Sequence, residues 1–143
     1  MDTVNFIVKS GTPIPAIDNR VIAFDACVDY DMLNEFFGAH DKSLMCSKEE
    51  YFDGFDMAAW QDYAIIENGK MIARAAIWQR SEDGWEVAAV STVPEYRRMG
   101  YGEAVVRYCL SKILEAGKTA TCTTRAGNIA MIKTALKAGF KEA

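Results

Sequence analysis

Apolar and polar positions alternate most clearly in the middle of the chain. There, segments 62–67 and 70–79 flank Asn68-Gly69, a pair that tolerates positive φ at both positions and so marks a two-residue type I′ hairpin. Glu82-Asp83-Gly84 makes a second turn into a run from Trp85 that ends at 93, predicting three antiparallel strands in succession. The period then changes. Over about 102–116, Val105, Cys109 and Ile113 recur every fourth position, predicting a helix with that stripe on the sheet, with Arg107, Lys112 and Glu115 in water and Gly117 as its C-cap. A strand over 118–123 and a helix from the N-cap Asn128 to Ala138 follow. The first third is less regular. It reads as an edge strand at 4–8, a Gly-Thr-Pro-Ile-Pro turn, a short apolar piece at 21–24 and a helix capped by Asp29 or Asp31 that Gly38 stops after Phe37. A short helix over 48–57 carries Tyr51, Phe52 and Phe55 as its apolar members. Together these elements predict an α/β sandwich without internal repeats.

At 143 residues, half of them apolar, the chain has the material for one core and hardly for two. No apolar run approaches the roughly 18 residues that a bilayer span needs, and Met1-Asp2-Thr3 lacks the basic flank of a signal peptide. A cytoplasmic location is the simplest expectation, with no membrane partner. Cys27, Cys46, Cys109 and Cys122 have no CxxC spacing, so they read as small buried side chains with neither a zinc site nor a disulfide framework. Asp53 and Asp56 lie three apart with no further ligand nearby, and no metal is expected. The formal net charge of -4 comes without any basic tract, which argues against nucleic acid and weakly favours a cationic acceptor.

One segment carries candidate chemistry. Arg97-Arg98-Met99-Gly100-Tyr101-Gly102 joins a strand over 86–93 to the long helix, so unpaired N–H groups and the positive end of a helix dipole meet two arginines. A side chain at 100 or 102 would keep phosphate oxygens from the backbone or forbid a tight turn. The segment lacks the Gly-Lys-Ser/Thr ending of a P-loop and the third glycine of a dinucleotide fingerprint. From spacing alone, a charged βα turn without a ligand is equally open.

With Val93-Pro94-Glu95-Tyr96 before this turn, and Asn128 followed by Gly139-Phe140 after it, the chain resembles the GCN5-related N-acetyltransferase (GNAT) family. The resemblance implies a three-layer α/β/α sandwich around a mixed, mostly antiparallel sheet. It also implies acetyl-coenzyme A as acetyl donor. The pyrophosphate would lie on the N–H groups of Met99, Gly100, Tyr101, Gly102 and Glu103, with Arg97 and Arg98 adding charge. Pantetheine would pair with the backbone of Ser91, Thr92 and Val93, and Asn128 would lie beside the pantetheine arm or the adenosine. Read from its own position, Asn128 is equally an N-cap. In the family a further strand normally returns beside the one entered by Gly-Phe, whereas this sequence reaches only Ala143. The strand at 4–8, a partner subunit or a chain that continues further could fill that place, and an uncovered edge would support a homodimer.

Acyl transfer needs a neutral amine, hence a base or a proton-relaying water. Glu86, eleven residues before Arg97, matches in spacing the general base of the histone acetyltransferase branch, against the plainer reading of an exposed strand-end carboxylate. Trp60, Trp78 and Trp85 read as core or cleft wall. Where family members often place a tyrosine as general acid, this chain has Ala135. A cysteine relay through Cys109 or Cys122 lacks a histidine base, since the single histidine, His40, is expected in a solvent-exposed loop. The preferred expectation is direct acetyl transfer to a small-molecule or protein primary amine. The alternative is a catalytically silent acyl-coenzyme A-binding or sensing module.

Overall fold

The computed structural model describes residues 2–143. Seven strands, β1 (Thr3–Val8), β2 (Val21–Phe24), β3 (Trp60–Glu67), β4 (Lys70–Trp78), β5 (Gly84–Thr92), β6 (Thr119–Arg125) and β7 (Lys141–Glu142), form one sheet in the order β2-β3-β4-β5-β6-β1-β7. The helices are α1 (Tyr30–His40), α2 (Lys48–Phe52), α3 (Tyr101–Glu115) and α4 (Ile129–Ala138). Every strand pair is antiparallel except β5 and β6. A parallel pair needs a crossover connection, and α3 supplies it.

Strand alternation sets the layers. Ala64 of β3 lies opposite Arg74 of β4, whose guanidinium is 5.6 Å from the Phe37 ring of α1. Tyr63, one residue earlier, faces the other way and packs its ring 5.1 Å from Tyr108 of α3. Successive side chains point to opposite faces of a sheet, so α1 and α3 cover opposite sides and the architecture is an α/β/α sandwich. The α3 stripe of Val105, Cys109 and Ile113 is fully buried.

Local chemistry accounts for most element ends. Asn68 and Gly69 adopt φ of 52° and 75°, the backbone that a type I′ hairpin requires. Asp29 caps α1 by accepting from the Met32 N–H, and Asn128 caps α4 by accepting from Met131 N–H. Ser47 and Glu50 form a capping box on α2. Gly38 does not end α1, which continues to His40. A Cβ at Gly38 would sit 2.6 Å from Met45 Sδ, so this glycine lets the chain after the helix pack back against it. The next helix is shorter than expected. It stops at Phe52, and a separate 3-10 turn over Met57–Ala59 follows, capped by the Asp56 side chain.

The N-terminal strand is internal to the sheet. β1 pairs with β6 over six positions, from Thr3 opposite Arg125 to Val8 opposite Ala120, and with β7 on its other edge. Phe6 and Val8 are buried as a result. The place beside the strand entered by Gly139-Phe140 is therefore taken by residues from the start of the chain. Among the described residues, no helix is long and apolar enough to cross a membrane.

A charged pair lies inside the α1-facing layer. Arg74 Nε donates to Asp62 Oδ1 at 2.8 Å, with side chains only 7% and 4% exposed. Trp60 Nε1 donates to the same oxygen, and Arg74 donates to the Tyr51 hydroxyl. Tyr51 and Trp60 each pack on Phe55, so this polar network ties β3 and β4 to Tyr51 of α2 and to Phe55 just after it. Removing one member of a buried, hydrogen-bonded ion pair strands the other charge. Asp62→Ala should destabilise the fold by about 3–5 kcal/mol in urea unfolding, whereas Asp62→Leu combined with Arg74→Met should recover much of the loss.

Candidate functional site

The sheet opens at one place. β5 and β6 pair only at Gly84 with Thr119, Trp85 with Ala120 and Glu86 with Thr121, while β6 continues along β1 to Arg125. Beyond Glu86 the two parallel strands part. Ala88 through Thr92 are accordingly half-buried, although every residue of β4 from Met71 to Ile77 beside them is buried.

A β-bulge accompanies the parting. Ala76 pairs with Ala88 and Arg74 with Ser91, which leaves Ala89 and Val90 opposite the single residue Ala75. Ala89 takes φ of 55°, a left-handed conformation that costs a non-glycine residue about 1–2 kcal/mol and is typical of functional sites. After the bulge the Val93 N–H donates to Ile72 O at 2.9 Å, so Val93 is held by β4. Thr92, one residue earlier, turns its carbonyl toward the opening, where it accepts from Arg97 Nε at 3.1 Å.

The arginine-glycine turn closes the wider end of the opening. A 3-10 turn over Pro94–Tyr96 leads to Arg98 at φ 65° and to Gly100 at φ 85°, the N-cap residue of α3. The first backbone bond of the helix runs from Ala104 N–H to Gly100 O, which leaves the N–H groups of Tyr101, Gly102 and Glu103 outside the helical ladder. Arg97, Arg98 and Met99 are exposed around them. A Cβ on Gly100 would meet nothing within 4 Å, and one on Gly102 would only touch Thr92 Oγ1 at 3.6 Å and Thr134 Cγ2 at 3.8 Å. Glycine is therefore needed at 100 for its dihedral, whereas at 102 the protein itself leaves room for a methyl. Tyr101 is tied down by its hydroxyl to Glu67 Oε2 at 3.0 Å and by Arg20 over its ring.

Glu86 stands where β5 and β6 separate, in a cross-strand row with Trp78 and Trp60. Its side chain is 12% exposed and accepts from Arg80 Nη1 at 3.0 Å, while Arg80, itself half-exposed, stacks over Trp78. Glu86 is thus a largely enclosed carboxylate rather than a free strand end. Beyond it on the same face, a cavity of about 260 Å³ is walled by Tyr51, Phe52, Phe55, Met57 and Trp60 and edged by Asp62.

The remaining candidates are distributed unevenly. Asn128 is exposed at the end of β6 and caps α4. Ala135 is fully buried within α4 and presents no polar group. Cys109 and Cys122 are buried; burial pushes the Cys122 thiol up to about 12 and the Cys109 thiol also upward, the opposite of what a nucleophilic thiolate needs.

His40 is the residue that sequence reasoning misplaced. It ends α1, half-buried, with Nδ1 2.8 Å from Phe36 O. Its Nε2 lies 2.7 Å from Ser91 Oγ and 3.1 Å from Thr92 O, on the opened stretch of β5. Reading Gly38 as a helix stop put His40 in solvent. The only signal to the contrary was that Gly38 is not followed by a second breaker.

Residues 29–140 match the sequence pattern of the acetyltransferase (GNAT) family, and the chain belongs to that family. A search of curated proteins finds no match. Among solved structures, an acetyltransferase of this family from Novosphingobium aromaticivorans is similar with a TM-score of 0.75 at 19% identity, covering 100% of this chain and 61% of that one. The ribosomal-protein-S18-alanine N-acetyltransferase of Escherichia coli has a TM-score of 0.69 at 22% identity, covering 86% of this chain and 77% of the other. An aminoglycoside acetyltransferase from an uncultured soil metagenomic sample reaches 0.65 at 12% identity, covering 87% and 90%. The chain thus spans about three fifths of the first of these relatives, and at such identities the likeness is one of fold.

Two measurements check the local geometry. Gly100→Ala should lower stability by about 1–2 kcal/mol, because alanine resists positive φ, and Gly102→Ala should stay within about 0.5 kcal/mol; thermal or urea unfolding reads both. In a thiol-labelling assay on the folded protein, the half-buried Cys27 and Cys46 should react and the buried Cys109 and Cys122 should react only after denaturation.

Proposed function

We propose that this chain is an N-acetyltransferase that moves an acetyl group from acetyl-coenzyme A to a primary amine by direct transfer in a ternary complex. The observation that carries the reading is the opened edge of β5 ending in a turn of free N–H groups and arginines. The fit is chemical as well as steric. Tyr101, Gly102 and Glu103 offer unladdered N–H donors at a helix N-terminus, which suit a pyrophosphate, with Met99 and Gly100 completing the turn and Arg97 and Arg98 placed for charge-assisted bonds. The outward carbonyl of Thr92, flanked by Ser91 and Val93, is the strand-like partner for the amides of a pantetheine arm. Asn128 borders the opening from the β6 side.

When bound, the thioester supplies an activated acyl carbon. Glu86 is the base of this reading. It takes a proton from the acceptor amine as the C–N bond forms and the C–S bond breaks, and its enclosure beside Trp78 keeps bulk water from competing. Arg80 orients the carboxylate through the 3.0 Å bond. The aromatic cavity at Trp60 lies on the same face two strands away, roughly 10 Å by strand spacing, and is the place for the body of a small-molecule or peptide amine. An excess of acid over base in the whole chain is compatible with a cationic acceptor. We read the protein as cytoplasmic, without a metal, nucleic acid or membrane partner.

Calorimetry with acetyl-coenzyme A and with coenzyme A tests the cofactor site. Both should bind, and Gly100→Glu, which places a carboxylate in the phosphate turn, should weaken both by at least about tenfold. Absence of binding by folded protein would remove the reading. In an amine-acceptor screen, Glu86→Gln should lower kcat by about 10²–10⁴-fold with little change in coenzyme A affinity. Tight binding with no acceptor at any pH would instead favour the acyl-coenzyme A sensing module, for which the buried Ala135 speaks.

A further inference from the structure

We propose that Ser91 and His40 form a proton relay to the sulfur of coenzyme A, supplying the acid function that Ala135 cannot. This rests on the reading of β5 as the cofactor edge. Along that edge the turn at Arg97–Gly102 marks one end and Glu86 the other. A base for the amine belongs at the Glu86 end, beyond the bulge. Ser91 sits between the bulge and the turn, on the side from which the cofactor arm arrives, and it is the polar side chain there that faces the α1 layer, as its pairing with Arg74 requires.

The hydrogen-bond pattern around His40 defines two states. Phe36 O, 2.8 Å from Nδ1, can only accept, so Nδ1 carries a proton in both. In the neutral ring, Nε2 accepts from the Ser91 hydroxyl at 2.7 Å, and the serine proton is engaged. In the imidazolium, Nε2–H donates to Ser91 Oγ and to Thr92 O at 3.1 Å, which frees the serine O–H to donate outward. In the relay the Nε2–H bond breaks as a new Oγ–H bond forms, and the original Oγ–H proton passes to the thiolate to make the S–H bond. Imidazolium and thiolate become imidazole and thiol, and the ring is left in the neutral pattern just described. The proton collected by Glu86 returns to the imidazole through solvent, closing the cycle.

Other parts of the molecule hold the pair in place. The His40 ring packs edge-on against Phe36 with centroids 4.7 Å apart. The charged groups facing the pair are Arg97, which shares the Thr92 carbonyl, and Arg74, cross-strand from Ser91 and paired with Asp62. Arg97 favours negative charge at the sulfur, whereas the charge of Arg74 is offset by its partner Asp62. Ser91 touches the reacting group and is catalytic, while His40 acts through it.

The test reads the cofactor thiol itself and needs no acceptor. Ultraviolet absorbance of the thiolate is followed against pH for coenzyme A bound to the full chain, with affinities for coenzyme A and desulfo-coenzyme A measured by calorimetry. Run in reverse, the relay passes the thiol proton through Ser91 to the neutral imidazole, so the wild type should show bound thiolate at least about one pH unit below the titration of free coenzyme A, a tenfold shift in the thiol–thiolate equilibrium. Ser91→Ala and His40→Gln should lose that shift, with desulfo-coenzyme A, which lacks the sulfur, reporting separately any change they make in the cofactor edge, and Ser91→Thr, which keeps the hydroxyl on a strand, should retain the shift. A wild-type thiol that titrates as in free solution, or variants that keep the shift, would overturn the relay and leave the cofactor site standing. Failure of the folded wild type to bind either compound would overturn both. A role for His40 confined to anchoring α1 would change melting temperature in His40→Gln without moving the thiol titration, which also overturns the relay.

Discussion

The bulge at Ala89 and Val90 is the constraint on which the site depends. Two residues of β5 against one of β4 shift the pleat, so β5 can pair with β6 up to Glu86 and no further. Without the extra residue, β5 and β6 would continue as an ordinary parallel ladder, the Thr92 carbonyl would be consumed by the sheet and no edge would face the opening. Holding Ala89 at φ 55° costs the fold a small amount of strain, and the surrounding ladder, with β4 buried from Met71 to Ile77, is what keeps it there.

The opening has an electrostatic direction. At one end lie the N-terminus of α3, Arg97 and Arg98; at the other lies Glu86, enclosed and paired with Arg80. The two ends of the opening therefore present groups of opposite charge. The net charge of -4 for the whole chain says little about this local gradient, because fields within a few ångströms of a cleft are set by the groups that line it.

Legibility in the sequence followed the range of the interactions involved. The Asn68-Gly69 hairpin, the α3 stripe and the caps at Asp29 and Asn128 depend on neighbours within a few residues, and all appear in the structure with ends displaced by one or two positions. The turn from Arg97 to Gly102 was visible for the same reason, since its glycines and arginines are contiguous. The bulge was not, because Ala89 carries no signal of a left-handed backbone, and neither was the contact between His40 and Ser91, 51 residues apart. Gly38 misled because glycine inside a helix resembles a stop, and only the tertiary contact with Met45 explains it. The Asp62–Arg74 pair was equally silent, as both residues stand in runs that alternation alone assigns no partner.

The position of β1 bears on how the sheet can afford an opening in its middle. A strand that parts from one neighbour loses ladder bonds on that side, and it stays ordered only if its other edge is fully held. β6 meets this condition through β1, which pairs with it along its length, including the stretch from Cys122 to Arg125 that β5 abandons. β1 is in turn fixed by β7 on its far edge and by the burial of Phe6 and Val8. On the other side β5 is held by β4 through the residues that flank the bulge. The two halves of the sheet are thus each internally complete, joined by three register pairs and the crossover helix α3, which packs on β3, β4, β5 and β6. β1 stands far from β5 in sequence but next to β6 in the sheet, where it holds the wall of the opening that β5 leaves.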